Sequence, residues 1–150
     1  MTNRLLITGG AGFIGSAVIR YLIEHTDAKV LNLDKLTYAA NLNSLTNAEG
    51  TLNYEFVKAD ICDADAIDTV FENFHPTAIL HLAAESHVDR SIEGPAAFIE
   101  TNIGGTFTLL DCALKYWRKL RGPTSEAFRF MHVSTDEVFG DLGPSGELFK

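Results

Sequence analysis

The sequence predicts an α/β fold, an incomplete doubly wound parallel sheet of about five strands with crossover helices. Three observations predict it. Short apolar runs alternate with amphipathic stretches along the chain. A glycine-rich turn joins the first run to the first amphipathic stretch, with Gly10, Gly12 and Gly15 in the spacing G-x-G-x-x-G. An acid, Asp34, ends the second run, and the three features together are typical of a Rossmann-type unit.

Five apolar runs have the length and composition of strands, and they cover residues 4–8, 29–34, 54–58, 78–82 and 128–133. Between them the sequence predicts a helix that runs to about His25, a helix that Asp63 caps and His75 ends, and a long helix over about 95–120. We expect an apolar stripe of the long helix to pack on the core; it consists of Ile99, Ile103, Leu110, Leu114 and Trp117.

The composition predicts one soluble globular domain over residues 1–150, because 46% of the residues are hydrophobic and 21% are charged. A net charge of -8 disfavours nucleic acid as a partner, since binding to phosphates normally needs a basic surface. We expect no signal peptide, no membrane association and no metal site. Cys62 and Cys112 lack metal or redox spacing, which favours the cytoplasm with both thiols reduced.

Polar clusters follow the predicted strands at their carboxyl ends, where ligands bind in a doubly wound sheet. The clusters are 9–15, 34–38, 60–61, 83–91 and 134–137. Five strands would bring them to one crevice, and this convergence is more informative than any single motif. The helix after Gly15 would turn its free N–H groups toward a pyrophosphate. Asp34 would accept hydrogen bonds from ribose hydroxyls and disfavour a 2′-phosphate, so the sequence favours NAD over NADP.

The segment Thr135-Asp136-Glu137 offers a hydroxyl beside two carboxyls. Adjacent carboxyls can act as acid and base where their surroundings separate their pKa values. On spacing alone, an ordinary acidic turn at a strand end explains this segment equally well. Tyr54 and Lys58 match the Tyr-x-x-x-Lys pair of short-chain dehydrogenases, but that pair needs a helix and these residues lie in a predicted strand. We therefore reject Tyr54 and Lys58 as a catalytic pair.

Several longer stretches resemble one group of the extended short-chain dehydrogenase/reductase superfamily, the dTDP-glucose 4,6-dehydratases. The glycine stretch 8–16 is shared with many relatives. More specific are Asp34-Lys35-Leu36-Thr37-Tyr38-Ala39, the run Leu82-Ala83-Ala84-Glu85-Ser86-His87-Val88-Asp89-Arg90-Ser91, Thr101-Asn102-Ile103, and Ser134-Thr135-Asp136-Glu137-Val138. The acid pair is the distinguishing element, because epimerase relatives lack it.

The resemblance implies NAD as cofactor and dTDP-glucose as substrate. It implies that the cofactor is held by Gly9, Gly12, Phe13, Ile14, Gly15, Asp34, Lys35, Leu36, Thr37, Asp60, Ile61, Leu82, Ala83, Ala84 and Thr101. Ser86 and Thr135 would contact the sugar nucleotide, with Thr135 also among the catalytic residues. Asp136 would protonate the departing 6-hydroxyl, and Glu137 would take the C5 proton. The parent enzyme would be a homodimer that recycles its NAD within each turnover.

The chain departs from the family pattern in two places. Phe139 stands where the family usually has Tyr, and no Tyr-x-x-x-Lys helix follows Glu137 before Lys150. We therefore expect an N-terminal piece of a dehydratase that is inactive alone, ends its sheet with an exposed fifth strand and dimerises poorly. Two alternatives remain open at this stage: a related sugar-nucleotide epimerase or decarboxylase, and a non-catalytic NAD-binding module.

Overall fold

A five-stranded, wholly parallel sheet organises the computed structural model, which describes residues 3–87, 92, 94–135, 138 and 140. Its strands are β1 (Arg4–Thr8), β2 (Lys29–Asp34), β3 (Tyr54–Lys58), β4 (Ala78–His81) and β5 (Arg129–His132). Their order is β3-β2-β1-β4-β5, and every neighbouring pair is parallel. The predicted fold class is confirmed, and β4 and β5 differ from the predicted strands only at their ends.

The helices of the described residues follow the strands as crossovers. They are α1 (Phe13–His25), α2 (Ala64–Phe74), α3 (Pro95–Phe98), α4 (Thr106–Lys119) and α5 (Pro123–Ala127), with a 3₁₀ turn at Leu42–Leu45. The predicted long helix is one helical run, but its middle, Ile99–Gly105, is a π-helix between α3 and α4. The short helix α5 was not predicted, because Gly122 and Pro123 indicate only a break.

Helix α2 begins and ends where the sequence places its signals. The Asp63 carboxylate accepts a hydrogen bond from the Ala66 N–H at 3.1 Å, so it caps the helix as predicted. At the other end His75 adopts a left-handed conformation with φ 48° directly before Pro76. The apolar face between these ends is buried and consists of Ile67, Val70, Phe71 and Phe74.

The core lies on both faces of the sheet because successive strand residues point in opposite directions. On one face Leu6 belongs to a cluster with Phe71 of α2 and Leu109 of α4. On the other, Ile7 belongs to a cluster with Ile19 of α1. Helices therefore cover both faces of the sheet. The carboxyl ends of β1 and β4 face a crevice, because the chain switches there from one side of the sheet to the other.

The prediction that the apolar stripe of the long helix packs on the core is wrong for this chain. Its side chains are 42–65% exposed: Ile99, Ile103, Leu110, Leu114 and Trp117. The helix instead buries Leu109, Cys112 and Ala113 against the sheet and α2. Periodicity finds an apolar face on a helix, but a helix with two apolar faces leaves open which one meets the core.

The fifth strand ends the described sheet, as expected. Arg129, Met131 and His132 are exposed on β5, and Met131 is 60% exposed. His132 is therefore not a core residue, and its ring stacks on that of His81 with centroids 4.8 Å apart. In the part of the chain that the structure describes, this edge is a surface on which a further strand could pair.

Candidate functional site: a dinucleotide-type crevice

A cavity of about 600 Å³ opens at the carboxyl ends of the strands. It lies at the switch point, since the chain proceeds from β1 to β2 on one side and returns to β4 on the other. Each predicted polar cluster contributes described residues to its lining. The wall consists of Gly9, Gly12, Phe13, Ile14, Gly15, Leu33, Asp34, Lys35, Thr37, Ala39, Ala40, Ala59, Asp60, Ile61, Leu82, Ala83, Ala84, Glu85, Ser86, His87, Thr101, Val133, Ser134 and Thr135.

The glycine turn brings α1 close against the end of β1. Gly9 has φ +73°, and a Cβ there would lie 2.6 Å from the Ala83 nitrogen, so only glycine fits between the two strand ends. The Gly12 N–H donates to the Gly9 carbonyl at 3.1 Å, which closes the turn. Gly12 caps α1 without any side-chain hydrogen bond. The first N–H groups of the helix therefore face the cavity with the positive end of its dipole, a ready site for an anion.

Asp34 is held by two backbone donors at the end of β2. Its Oδ2 accepts from the Ala11 N–H at 3.0 Å, and its Oδ1 accepts from the Leu36 N–H at 2.8 Å. Leu36 adopts a left-handed conformation with φ 61°, which brings its N–H back to the carboxylate. Each carboxylate oxygen retains a second lone pair for a ligand, so Asp34 can accept hydroxyl hydrogens while it orders the glycine turn.

Lys35 links two walls of the cavity. Its Nζ lies 3.2 Å from Oδ2 of Asp60 and donates to the Thr101 hydroxyl at 3.3 Å. Burial raises the pKa of Asp60, but the hydrogen bond from the Cys62 N–H and the nearby Lys35 ammonium outweigh it and lower the pKa below its usual value. Asp60 is therefore an anion at neutral pH that fixes Lys35 in the wall of the cavity.

His81 ties the end of β4 to β1 and to the start of α4. It is fully buried; its Nδ1 lies 2.7 Å from the Thr8 hydroxyl and its Nε2 lies 3.0 Å from the Thr106 hydroxyl. Burial, and to a smaller extent the nearby His132 ring, lowers the pKa of His81 to about 4. The imidazole is therefore neutral at pH 7 and acts as a structural link behind the cavity.

Stability is expected to fall as the pH drops from about 6.5 toward 4, because the unfolded chain then binds a proton that buried His81 does not. Above the pKa that His81 has in the unfolded chain, the neutral, buried ring makes its full contribution to the free energy of unfolding, which amounts to up to about 3 kcal/mol. Urea unfolding between pH 7 and pH 4.5 measures the slope, and His81→Gln should flatten it even though that variant is less stable at pH 7. An equal slope in both proteins would assign the effect to other groups.

Every predicted cofactor residue except Leu36 lines the cavity. Leu36 contributes to the site through its N–H, which donates a hydrogen bond to Asp34. The cavity also gathers the predicted substrate residues Ser86 and Thr135. Asp136, Glu137 and Phe139 lie outside the described residues, as do 88–91 and the tail 141–150. The roles of all these residues stay predictions.

Sequence reasoning missed Ala39 and Ala40, which line the cavity although neither offers a chemical group. They reach it because the Asn41 N–H donates to the Ala11 carbonyl at 2.8 Å and returns the loop to the glycine turn. Sequence reasoning also assigned no role to Glu85 and His87, which lie in a predicted polar cluster. The sequence could have indicated a role for both residues, because they flank Ser86 directly after a strand end.

The two thiols offer no nucleophile at neutral pH. Burial, then Asp60, raises the pKa of Cys62 to about 11, and burial, then Asp68, raises that of Cys112 to about 11. Among residues 3–87, 92, 94–135, 138 and 140, no three His, Cys, Asp or Glu side chains form a group that could hold a metal ion. None of the helices described above has the length and apolar character needed to span a bilayer.

Tyr54 and Lys58 lie on β3, as predicted, and Tyr54 accepts a hydrogen bond from the Asn32 amide at 3.1 Å. A strand turns residues four apart to the same face but holds them about 13 Å apart along the chain, too far for one catalytic pair. The structure therefore supports the rejection of these two residues.

The switch-point crevice, its open helix N-terminus and the acid at the end of β2 define an α/β protein of the dinucleotide-binding class. Residues 6–147 match the model of one family within that class, described as GDP-mannose 4,6 dehydratase. The chain belongs to this family.

Curated relatives carry a related name. The dTDP-glucose 4,6-dehydratase of Salmonella typhimurium is 60% identical over 145 residues, which are 97% of this chain and 40% of the relative. That of Escherichia coli is 61% identical over 145 residues, with the same coverage of both chains. This chain thus spans about 40% of the length of these curated relatives.

Solved structures show the same fold. A Bacillus anthracis dTDP-glucose 4,6-dehydratase in complex with NAD is 35% identical, with a TM-score of 0.79 over 99% of this chain and 42% of that one. A Streptomyces venezuelae dTDP-glucose 4,6-dehydratase with NAD bound is 44% identical, with a TM-score of 0.80 over 93% of this chain and 41% of that one. A Thermotoga maritima UDP-glucose 4-epimerase is 35% identical, with a lower TM-score of 0.67 over 75% of this chain and 34% of that one.

Proposed function

We propose that this chain is the NAD-binding portion of a dTDP-glucose 4,6-dehydratase. The observation that carries the proposal is the open N-terminus of α1 beside Asp34 in one cavity. The helix end suits a pyrophosphate, and the carboxylate suits the hydroxyls of an adenosine ribose. A 2′-phosphate would meet the Asp34 carboxylate, so NAD fits this site better than NADP.

The residues of the cavity fit a dinucleotide in size as well as in charge. A volume of about 600 Å³ is within the range of small-molecule and cofactor sites. Gly9 and Gly15 carry no side chain where the backbone packs most closely, so helix α1 can approach the strand ends. When bound, NAD supplies a hydride acceptor that can later return the hydride. The chain's own residues bind it, orient it and shield it from water.

The proposed substrate is dTDP-glucose, and the names of the curated relatives support it. In this proposal Ser86 and Thr135, which line the cavity, contact the sugar nucleotide. Asp136 protonates the departing 6-hydroxyl while Glu137 removes the proton from C5, so that water leaves across the bond between these carbons. The acid pair favours this reaction over epimerisation, which removes no water.

The whole protein is proposed to be longer than residues 1–150, to contain a further substrate domain and to act as a cytoplasmic homodimer. The length of the curated relatives supports the first point. The apolar stripe from Ile99 to Trp117, whose residues are 42–65% exposed, supports a contact with a partner. Cys62 and Cys112 are free thiols, which suits a reducing compartment.

We expect the 150-residue chain to bind NAD but not to convert dTDP-glucose. Its one Tyr-x-x-x-Lys pair lies on strand β3, so residues 1–150 hold no such pair on a helix whose tyrosine could take the proton of the C4 hydroxyl. Titration calorimetry should show NAD binding at least about 10-fold tighter than NADP. Incubation with NAD and dTDP-glucose should give no 4-keto-6-deoxy sugar.

Two outcomes would contradict the proposal separately. Equal affinity for NAD and NADP would remove the role given to Asp34. Formation of the keto sugar by the pure chain would show that residues 1–150 hold a complete catalytic set.

A further inference from the structure

The π-helical segment Ile99–Gly105 forms part of the cavity wall through Thr101. A π-helix is rare, and where it interrupts an α-helix it frequently marks a functional site, because it changes the direction of the side chains that follow. Here Thr101 is only 5% exposed and receives the hydrogen bond from Lys35. Its neighbour Asn102 is not part of the lining, and the proposed function leaves it without a role.

Asn102 holds one residue of the loop after β4 by both of its backbone groups. Its Oδ1 accepts from the Glu85 N–H at 2.8 Å, and its Nδ2 donates to the Glu85 carbonyl at 2.9 Å. The side-chain amide thus binds Glu85 as a neighbouring strand would. The Glu85 carboxylate is held in addition by the Tyr38 hydroxyl at 3.1 Å.

The residue that Asn102 holds lies in the middle of a cavity wall. Ala83 and Ala84 line the cavity before Glu85, and Ser86 and His87 line it after Glu85. This wall follows β4, whereas Asp34 follows β2 on the opposite side of β1. A dinucleotide that lies across the switch point with its adenosine ribose at Asp34 would place its other half against residues 83–87.

We propose that Asn102 is a positioning residue that fixes the wall 83–87 for the half of the dinucleotide farther from Asp34. The inference rests on the proposed function, because it takes a dinucleotide as the ligand. Loss of the Asn102 amide leaves the Glu85 N–H and carbonyl without these partners, and the wall then moves away from the cavity. The site beside Asp34 and the glycine turn is unchanged, since no bond of Asn102 reaches it.

The test compares two ligands on Asn102→Ala. NAD spans both sides of the switch point, whereas ADP reaches only the glycine turn and Asp34. Calorimetry should show NAD binding weakened about 10-fold and ADP binding changed by less than about 2-fold. If Asn102 had a merely structural role, the variant would bind both NAD and ADP more weakly. Asn102→Asp retains an acceptor for the Glu85 N–H but loses the donor to the Glu85 carbonyl. This variant replaces Asn102→Ala in the same titrations if the alanine variant does not fold.

Glu100→Ala is the matched control, because Glu100 lies in the same π-helix with an exposed side chain. It should leave both affinities unchanged. Amide hydrogen exchange gives a readout without ligand: the Glu85 amide should exchange faster in Asn102→Ala than in Glu100→Ala.

Equal losses of NAD and ADP binding, or unchanged NAD binding with faster Glu85 exchange, would overturn the role of Asn102. If the unsubstituted chain binds neither ligand, the proposed function fails. Amide exchange alone then decides whether Asn102 fixes the wall, and an unchanged Glu85 rate would overturn the inference.

Discussion

Gly15→Ala is expected to abolish most NAD binding and to destabilise the chain. A Cβ at Gly15 would lie 2.7 Å from the Gly10 Cα and closer still to the Gly9 carbonyl oxygen. Both neighbours are backbone atoms of the turn that Gly9 and the Gly12 N–H close, so α1 must move outward. We expect the free energy of unfolding to fall by about 3 kcal/mol and the dissociation constant for NAD to rise about 100-fold.

Gly104→Ala is the matched control for this change. A Cβ at Gly104 has only the Ile99 carbonyl oxygen near it, at 3.9 Å, and the residue lies in a helical run. Alanine is a better helix former than glycine, so the variant should be as stable as the parent chain or more stable by about 0.5–1 kcal/mol. Urea unfolding and calorimetry on both variants decide the comparison. Tight NAD binding by Gly15→Ala would show that the helix does not need this close approach.

Much of the fold could be predicted because local patterns and tertiary structure agree. The apolar run 4–8 is a strand, and both of its faces are covered by helices. Asp63 and His75 end α2 where their local chemistry places them. The carboxyl ends of parallel strands necessarily share one edge of the sheet, so the polar clusters after those strands meet without any knowledge of distances.

The remaining features depend on contacts that no local pattern encodes. Leu36 was expected in the cavity, but its left-handed backbone turns its N–H toward Asp34 instead. The exposed stripe from Ile99 to Trp117 has the same periodicity as a buried one. Asn102 reaches Glu85 from a π-helix, and a pattern read with 3.6 residues per turn does not place its side chain correctly.

Asp34→Ala should have the second large effect, on both stability and cofactor choice. The carboxylate binds the N–H groups of Ala11, which is 1% exposed, and Leu36. Removing it leaves both donors without this partner, which should cost about 2 kcal/mol of unfolding free energy. The bonds proposed from the ribose hydroxyls are lost as well, so NAD should bind about 30-fold more weakly.

The ratio of the two cofactors separates these effects. A destabilised glycine turn would weaken NAD and NADP alike, whereas loss of the Asp34 charge removes a repulsion that only the 2′-phosphate of NADP experiences. We therefore expect the preference for NAD over NADP to disappear in Asp34→Ala. Asp63→Ala is the control, because Asp63 also accepts a backbone hydrogen bond, as the cap of α2. This variant should lose about 1 kcal/mol of unfolding free energy and keep the preference for NAD over NADP. Calorimetric titration of both variants with both cofactors measures this directly. A retained preference in Asp34→Ala would place the discrimination on another residue of the cavity, and Lys35 or Thr37 would be substituted next.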